Sequence, residues 1–170
     1  MMKRFLIGVL TLVLIAGCGF QLRGSAGASL PYKSLYIALP ENSEIGLWLA
    51  RYIKSSGSTQ LKANPKDAEA IVQQLQDNRT KSILSLNAQG AVREYRLEAK
   101  FAFRVVDPTG KVLVPPSEIN LIRDLTFNAS AVLAKDQEET LLWRDINIDL
   151  ANQILRQLAI AKPGVGVAED

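Results

Sequence analysis

From Ala91 to Val105 the chain alternates with a period of two. Odd positions read Ala91, Arg93, Tyr95, Leu97, Ala99, Phe101, Phe103 and Val105, while even positions 94 to 104 read Glu, Arg, Glu, Lys, Ala and Arg. Successive side chains of a strand point to opposite faces of its sheet, so this segment has one apolar face and one charged face. Such a strand belongs to a sheet covered on one side and wet on the other, which is how antiparallel sheets with helices on a single face are built.

The flanking segments supply the covering elements. Asn87 to Gly90 is a turn signal before this strand, and Asp107-Pro108-Thr109-Gly110 is another after it. Lys111 to Phe127 then returns as a strand broken near Pro115-Pro116, where proline restricts pairing to an edge or a bulge. Upstream, Leu35 to Leu39 reads as a short strand ended by Pro40, and Ala70 to Asp77 as a second, less regular one. Between these two, Ser43 is placed to cap a helix whose first turn holds Glu44. Its buried stripe is Ile45, Trp48, Leu49, Tyr52 and Ile53, and its end is Gly57.

The last element is a long helix. Asp136 with Glu139 three residues later reads as a capping box, and Leu142, Ile146, Leu150, Ile154 and Leu158 form its apolar side, with Trp143 and Leu155 beside it. It ends near Ala161, before Lys162-Pro163-Gly164. The order β-α-β-β-β-α predicts an α+β fold with two helices packed on one face of a four-stranded mixed, mostly antiparallel sheet.

Composition narrows the function classes. The chain has no histidine and one cysteine among its 170 residues. This removes Ser-His-Asp and Cys-His nucleophiles and the usual zinc ligand sets, so neither a metal nor a cofactor is expected. Of 20 basic side chains, Lys3 and Arg4 fall within the first seventeen residues, leaving 18 against 17 acidic ones. That balance is far from the dense basic surface nucleic-acid binding needs.

The single cysteine has a definite setting. Met1 to Arg4 is positive, and Phe5 to Ile15 is apolar but shorter than the roughly twenty residues a membrane-spanning helix requires. Ile15-Ala16-Gly17 is followed at once by Cys18, a pattern that resembles the bacterial lipobox. Residues 1–17 then read as a lipoprotein signal peptide, Cys18 as the lipidation site, and 18–29 as lipidated N-terminus and tether. Residues 30–162 form a single domain and 163–170 a flexible tail. Two or three acyl chains hold a protein on a bilayer far more firmly than one.

Three segments in order carry a wider resemblance: "CGFQLRG" (Cys18 to Gly24), "REYRL" (Arg93 to Leu97) and "AVLAKDQEETLLWRDI" (Ala131 to Ile146). Together they resemble the LptE family of lipopolysaccharide-assembly lipoproteins, over nearly the whole mature chain. The resemblance implies a non-enzymatic lipoprotein of the cell outer membrane, facing the periplasm and a barrel lumen. Its implied role is to plug the LptD β-barrel in a 1:1 complex, assist that barrel's assembly and contact lipopolysaccharide on its way to the cell surface. Gly19 after the cysteine, rather than aspartate, agrees with an outer-membrane destination. The "AKD" of Ala134 to Asp136 matches the family's motif and makes Lys135 the first candidate for lipopolysaccharide contact, placed just before a helix start. The loop before "REYRL" reads Ser85-Leu86-Asn87-Ala88 where the family can carry a basic residue, which leaves Lys81, Arg93 or Arg96 as substitutes. Two other readings stand beside this one: an auxiliary lipid-binding lipoprotein without a barrel partner, and an envelope enzyme using Asp145 and Asp149, four apart on one helix face.

Overall fold

The computed structural model describes residues 30–161. The signal segment 1–17, Cys18 with its tether, and the tail 163–170 lie outside the described residues. The elements are β1 (Ser34–Ala38), α1 (Glu44–Ser56), β2 (Gln60–Leu61), β3 (Ala70–Leu86), β4 (Val92–Val106), β5 (Val112–Thr126) and α2 (Val132–Ile160), with single 3-10 turns at Pro65–Asp67 and Ala129–Ala131. One sheet holds the strands in the order β2-β1-β3-β4-β5. β1 runs parallel to β2 and β3, and the two long hairpins β3-β4 and β4-β5 are antiparallel. The α+β class with two helices on a mixed sheet stands. The sheet has five strands rather than four, because Gln60–Leu61 adds to the edge of β1 through bonds such as Gln60 N–H to the Lys33 carbonyl. Two residues are too short to leave a periodic signal.

Alternation in β4 does what its pattern requires. Leu97, Ala99, Phe101, Phe103 and Val105 are fully buried against Ile45, Leu49 and Ile53 of α1 and Ile146, Leu150, Ile154 and Leu158 of α2. Burial of each large apolar side chain contributes roughly 1.5–3 kcal/mol. Ser43 caps α1, its Oγ accepting from the Gly46 N–H at 3.2 Å, and Gly57 closes it at φ 66°, a left-handed geometry that other residues adopt at a cost.

Two local expectations shift and a third holds. β3 runs to Leu86 instead of stopping at Asp77, because β4 offers a continuous ladder of partners from Asn78↔Lys100 to Leu86↔Val92. The polar sequence of this stretch has little strand signal of its own; pairing extends it. β1 pairs with β3 only as far as Gln73, so beyond it β3 has β4 on one side alone among the described strands. Pro115-Pro116 break the register of β5 as expected. Val114 pairs with Val105 and Ser117 with Phe103, so the prolines stand opposite Arg104 in a bulge on the edge strand.

The second shift concerns α2, which begins at Val132, four residues ahead of Asp136. Asn128 supplies the start signal: its side chain accepts from the Ser130 N–H at 3.0 Å and caps the 3-10 turn that leads into the helix. Lys135 therefore sits inside the opening turns of α2 rather than just before them. Midway along, Asn147 is 2% exposed in the helix's apolar stripe, and its Nδ2 donates to the Glu44 carboxylate at the start of α1, tying the two helices together.

Candidate functional site

The end of the molecule where the β3-β4 turn meets the start of α2 gathers the sequence-predicted basic residues. Lys81 is opposite Leu97 in the β3-β4 ladder and so lies on the helix-side face, Arg96 is on the opposite face, and Arg93 stands in the register shift between Glu94 and Val92. Lys135 reaches the end of β5, donating from Nζ to Thr126 Oγ1 at 3.0 Å. Topology thus brings all four to one end of the sheet, but not to one surface.

Their charges are largely spoken for. Lys135 Nζ lies 2.7 Å from Glu138 Oε2, and Lys81 Nζ lies 2.5 Å from Glu139 Oε2 and 4.4 Å from the Tyr95 ring centroid. Successive glutamates of α2 therefore hold the two lysines. Arg96 grips Asp124 with two bonds, Nε to Oδ1 at 2.9 Å and Nη2 to Oδ2 at 3.2 Å. Arg93 alone of the four is exposed without an ion pair among the described residues. An anion arriving at this end meets Arg93 directly and must compete with Glu138 for Lys135.

Apolar side chains surround these cations. Ile83, Leu84 and Leu86 of β3 and Val132 and Leu133 of α2 are all exposed, Leu133 at 74%. Tyr95 packs edge-on against Phe127 at 5.3 Å beneath them. Positive groups beside exposed aliphatic ones offer an amphiphile both a charged and a greasy contact. Periodicity did not mark these residues, because they lie at element ends where no core stripe runs.

The sheet's other face is wet and internally balanced. Arg104 Nε donates to Gln73 Oε1 at 2.8 Å, Lys100 Nζ lies 3.3 Å from Glu98, and Asn120 Nδ2 donates to Glu98 Oε1 at 3.0 Å. Exposed pairs of this kind contribute little to stability, about 0–1 kcal/mol each, so the face is not held polar for the fold's sake. Asp145 and Asp149 do not form a paired acid and base: Asp149 is bound to Arg123 of β5, while Asp145 is exposed on its helix.

Two carboxyl groups have displaced titrations. The Asp124 carboxyl is held below the usual carboxylate range, first by its hydrogen bond from Arg96 and then by that guanidinium's charge, and Arg96 is raised in return. Asp107, in the β4-β5 turn, is lowered first by the Thr109 hydroxyl and further by backbone N–H groups including that of Lys111. A carboxyl depressed in the folded state stabilises the fold above its unfolded pKa, and that contribution is lost as pH falls through the folded value. In an NMR titration both groups should protonate below the ordinary range. Arg96→Gln should return Asp124 toward that range and leave Asp107 where it is; an unmoved Asp124 would contradict the assignment.

Comparison with known proteins places this geometry. The family model LptE, described as lipopolysaccharide-assembly, matches residues 32–158. The chain is 25% identical over 154 residues to the LPS-assembly lipoprotein LptE of Photorhabdus laumondii, covering 90% of this chain and 82% of that protein. Among solved structures it is similar to an uncharacterized lipoprotein B of Nitrosomonas europaea, determined in solution by NMR. The TM-score is 0.71 and the identity 38%, over 83% of this chain and 90% of that one. It is also similar to a minor lipoprotein of Acinetobacter baumannii, with a TM-score of 0.63 and 26% identity over 76% of this chain and 92% of that one.

Proposed function

Since the chain belongs to the LptE family of lipopolysaccharide-assembly lipoproteins, which are not enzymes, we propose that it plugs the lumen of an LptD-type outer-membrane β-barrel and assists its assembly. In this reading Cys18 carries the acyl anchor in the inner leaflet of the outer membrane. Lipopolysaccharide is met at the end of the molecule that holds Arg93, Lys81 and Lys135. Arg96, on the opposite face and locked to Asp124, is a wall contact rather than a ligand contact in this arrangement.

The observation that carries the proposal is the uncovered face of β3-β4-β5. It is long, polar and charge-balanced, and both helices leave it open by packing on the other side. Large barrels have polar lumens, and a plug needs a hydrogen-bonding surface rather than an apolar one. Past Gln73, β3 has no second strand partner among the described residues, an edge guarded against self-association by the charges of Asp77, Arg79 and Lys81 on its helix side. Among the described residues no helix is long and apolar enough to cross a membrane.

The reading is tested by purifying the native lipoprotein from mild detergent extracts. A barrel protein of much larger mass should accompany it in equimolar amount. Reversing two charges on the open face, Lys100→Glu with Arg104→Glu, should reduce that recovery several-fold while the variant melts as the parent does. Recovery of the lipoprotein alone at every detergent strength refutes the plug.

A further inference from the structure

Two of the cations that the fold leaves without carboxylates meet elsewhere, in the cleft between α1 and α2. Arg51 projects from α1 with its Cζ 4.5 Å from the centroid of the Trp48 ring, and Arg144 projects from α2 with its Cζ 5.8 Å from the same centroid. Six other basic side chains, including Lys81, Arg96 and Lys135, form ion pairs; Arg51 and Arg144 form none among the described residues. Both are exposed, and both line one cleft of about 440 Å³. That volume lies within the roughly 300–1,000 Å³ of small-ligand sites.

The chemistry of the cleft is polarised. A guanidinium stacked on an aromatic ring keeps its planar row of N–H donors free at its edge, the geometry that matches phosphate oxygens two at a time. Two such groups beside one ring concentrate positive charge in the cleft. Trp48 and Trp143 add aromatic walls, and the exposed Leu47 adds apolar surface. Glu44, already accepting from Asn147, completes the lining as an acceptor for hydroxyl donors. Anion binders, ring surfaces and an acceptor lining one cleft describe a ligand with a phosphate, a puckered apolar face and hydroxyl groups.

We infer that this cleft binds a phosphorylated saccharide, with its phosphate between Arg51 and Arg144 and its sugar ring against the two tryptophans. The inference deepens the proposed function, on which it rests for the source of such a group: the headgroup region of a phosphorylated glycolipid. It adds a contact distinct from the Lys135 end, about 13 Å along α2 at 1.5 Å per residue.

The chain's only two tryptophans both line the cleft, so intrinsic fluorescence reads this site directly. The full lipidated protein in detergent is titrated with glucose 1-phosphate, glucose, inorganic phosphate and hexaglutamate at constant ionic strength. A saturable change is expected with glucose 1-phosphate, weaker with phosphate and absent with glucose. The double variant Arg51→Gln/Arg144→Gln should bind at least tenfold more weakly with unchanged thermal unfolding, Arg51→Lys/Arg144→Lys should fall between, and Lys66→Gln, in the exposed Pro65–Asp67 turn, should match the parent. No saturation, equal binding by the double glutamine variant, or tighter binding of hexaglutamate overturns the inference. Capture of purified lipopolysaccharide separates the two claims. Equal capture by parent and double variant sinks the cleft and leaves the proposed function standing. Glucose 1-phosphate binding at the arginines with no lipopolysaccharide capture does the reverse.

Discussion

Replacing Phe101 with alanine is expected to cost about 3–5 kcal/mol, the usual range for emptying a phenylalanine site in a packed core. Phe101 is fully buried along the interior strand β4, opposite Asp77 on one side and Ile119 on the other, with the Phe103 ring centroid 6.4 Å away. It belongs to the one cluster that joins the sheet to both helices, so the cavity left behind opens where no flexible loop can fill it. For a domain of this size the loss lowers Tm by on the order of 10 °C. Lys100→Ala, one residue away on the open face, should change stability by no more than about 0.5 kcal/mol. Urea unfolding of the two variants measures the contrast, and equal midpoints would mean that the sheet's two faces are not divided as described.

The second large effect concerns the anchor. Cys18→Ala should move the protein from the membrane pellet to the soluble fraction almost completely, because each buried methylene contributes about 0.8 kcal/mol and two or three acyl chains act together. Intact-mass measurement of the parent should show the acyl mass on the first residue of the mature chain; an unmodified thiol on a soluble parent would remove the anchor from the account. The domain itself should fold without it, since the sheet and both helices bury one cluster among the described residues. Anchoring and folding are thus expected to separate cleanly: the variant keeps its Tm and loses only its place.

The residues show why the sequence was informative in some places and silent in others. β4 could be read because one face is buried along most of its length, and a strict two-residue period is what that burial imposes. α1 could be read because Ser43, the stripe from Ile45 to Ile53 and Gly57 agree with one another. β3 could be read only to Asp77, because past it the strand is exposed and exists through its pairing with β4. The start of α2 was misplaced by four residues because Asp136 and Glu139 fit a capping pattern, while Asn128 performs that role one 3-10 turn earlier.

The candidate site divides in the same way. Lys135, Lys81, Arg93 and Arg96 were nameable as cations, and topology does bring them to one end of the sheet. Their partners were not nameable: Lys81 and Glu139 meet across 58 positions of chain, and Arg96 and Asp124 across 28. The meeting of Arg51 and Arg144 on Trp48 left no mark in either local pattern.

By itself the sequence determined the α+β class, the buried faces of β4, α1 and α2, and the family resemblance. Each of these is written in residues a few positions apart, where strand and helix periods operate. Only the tertiary structure decided which charges neutralise one another and which remain open. Side-chain reach is a few ångströms in space, and a local period says which side of an element faces inward without saying what stands opposite it.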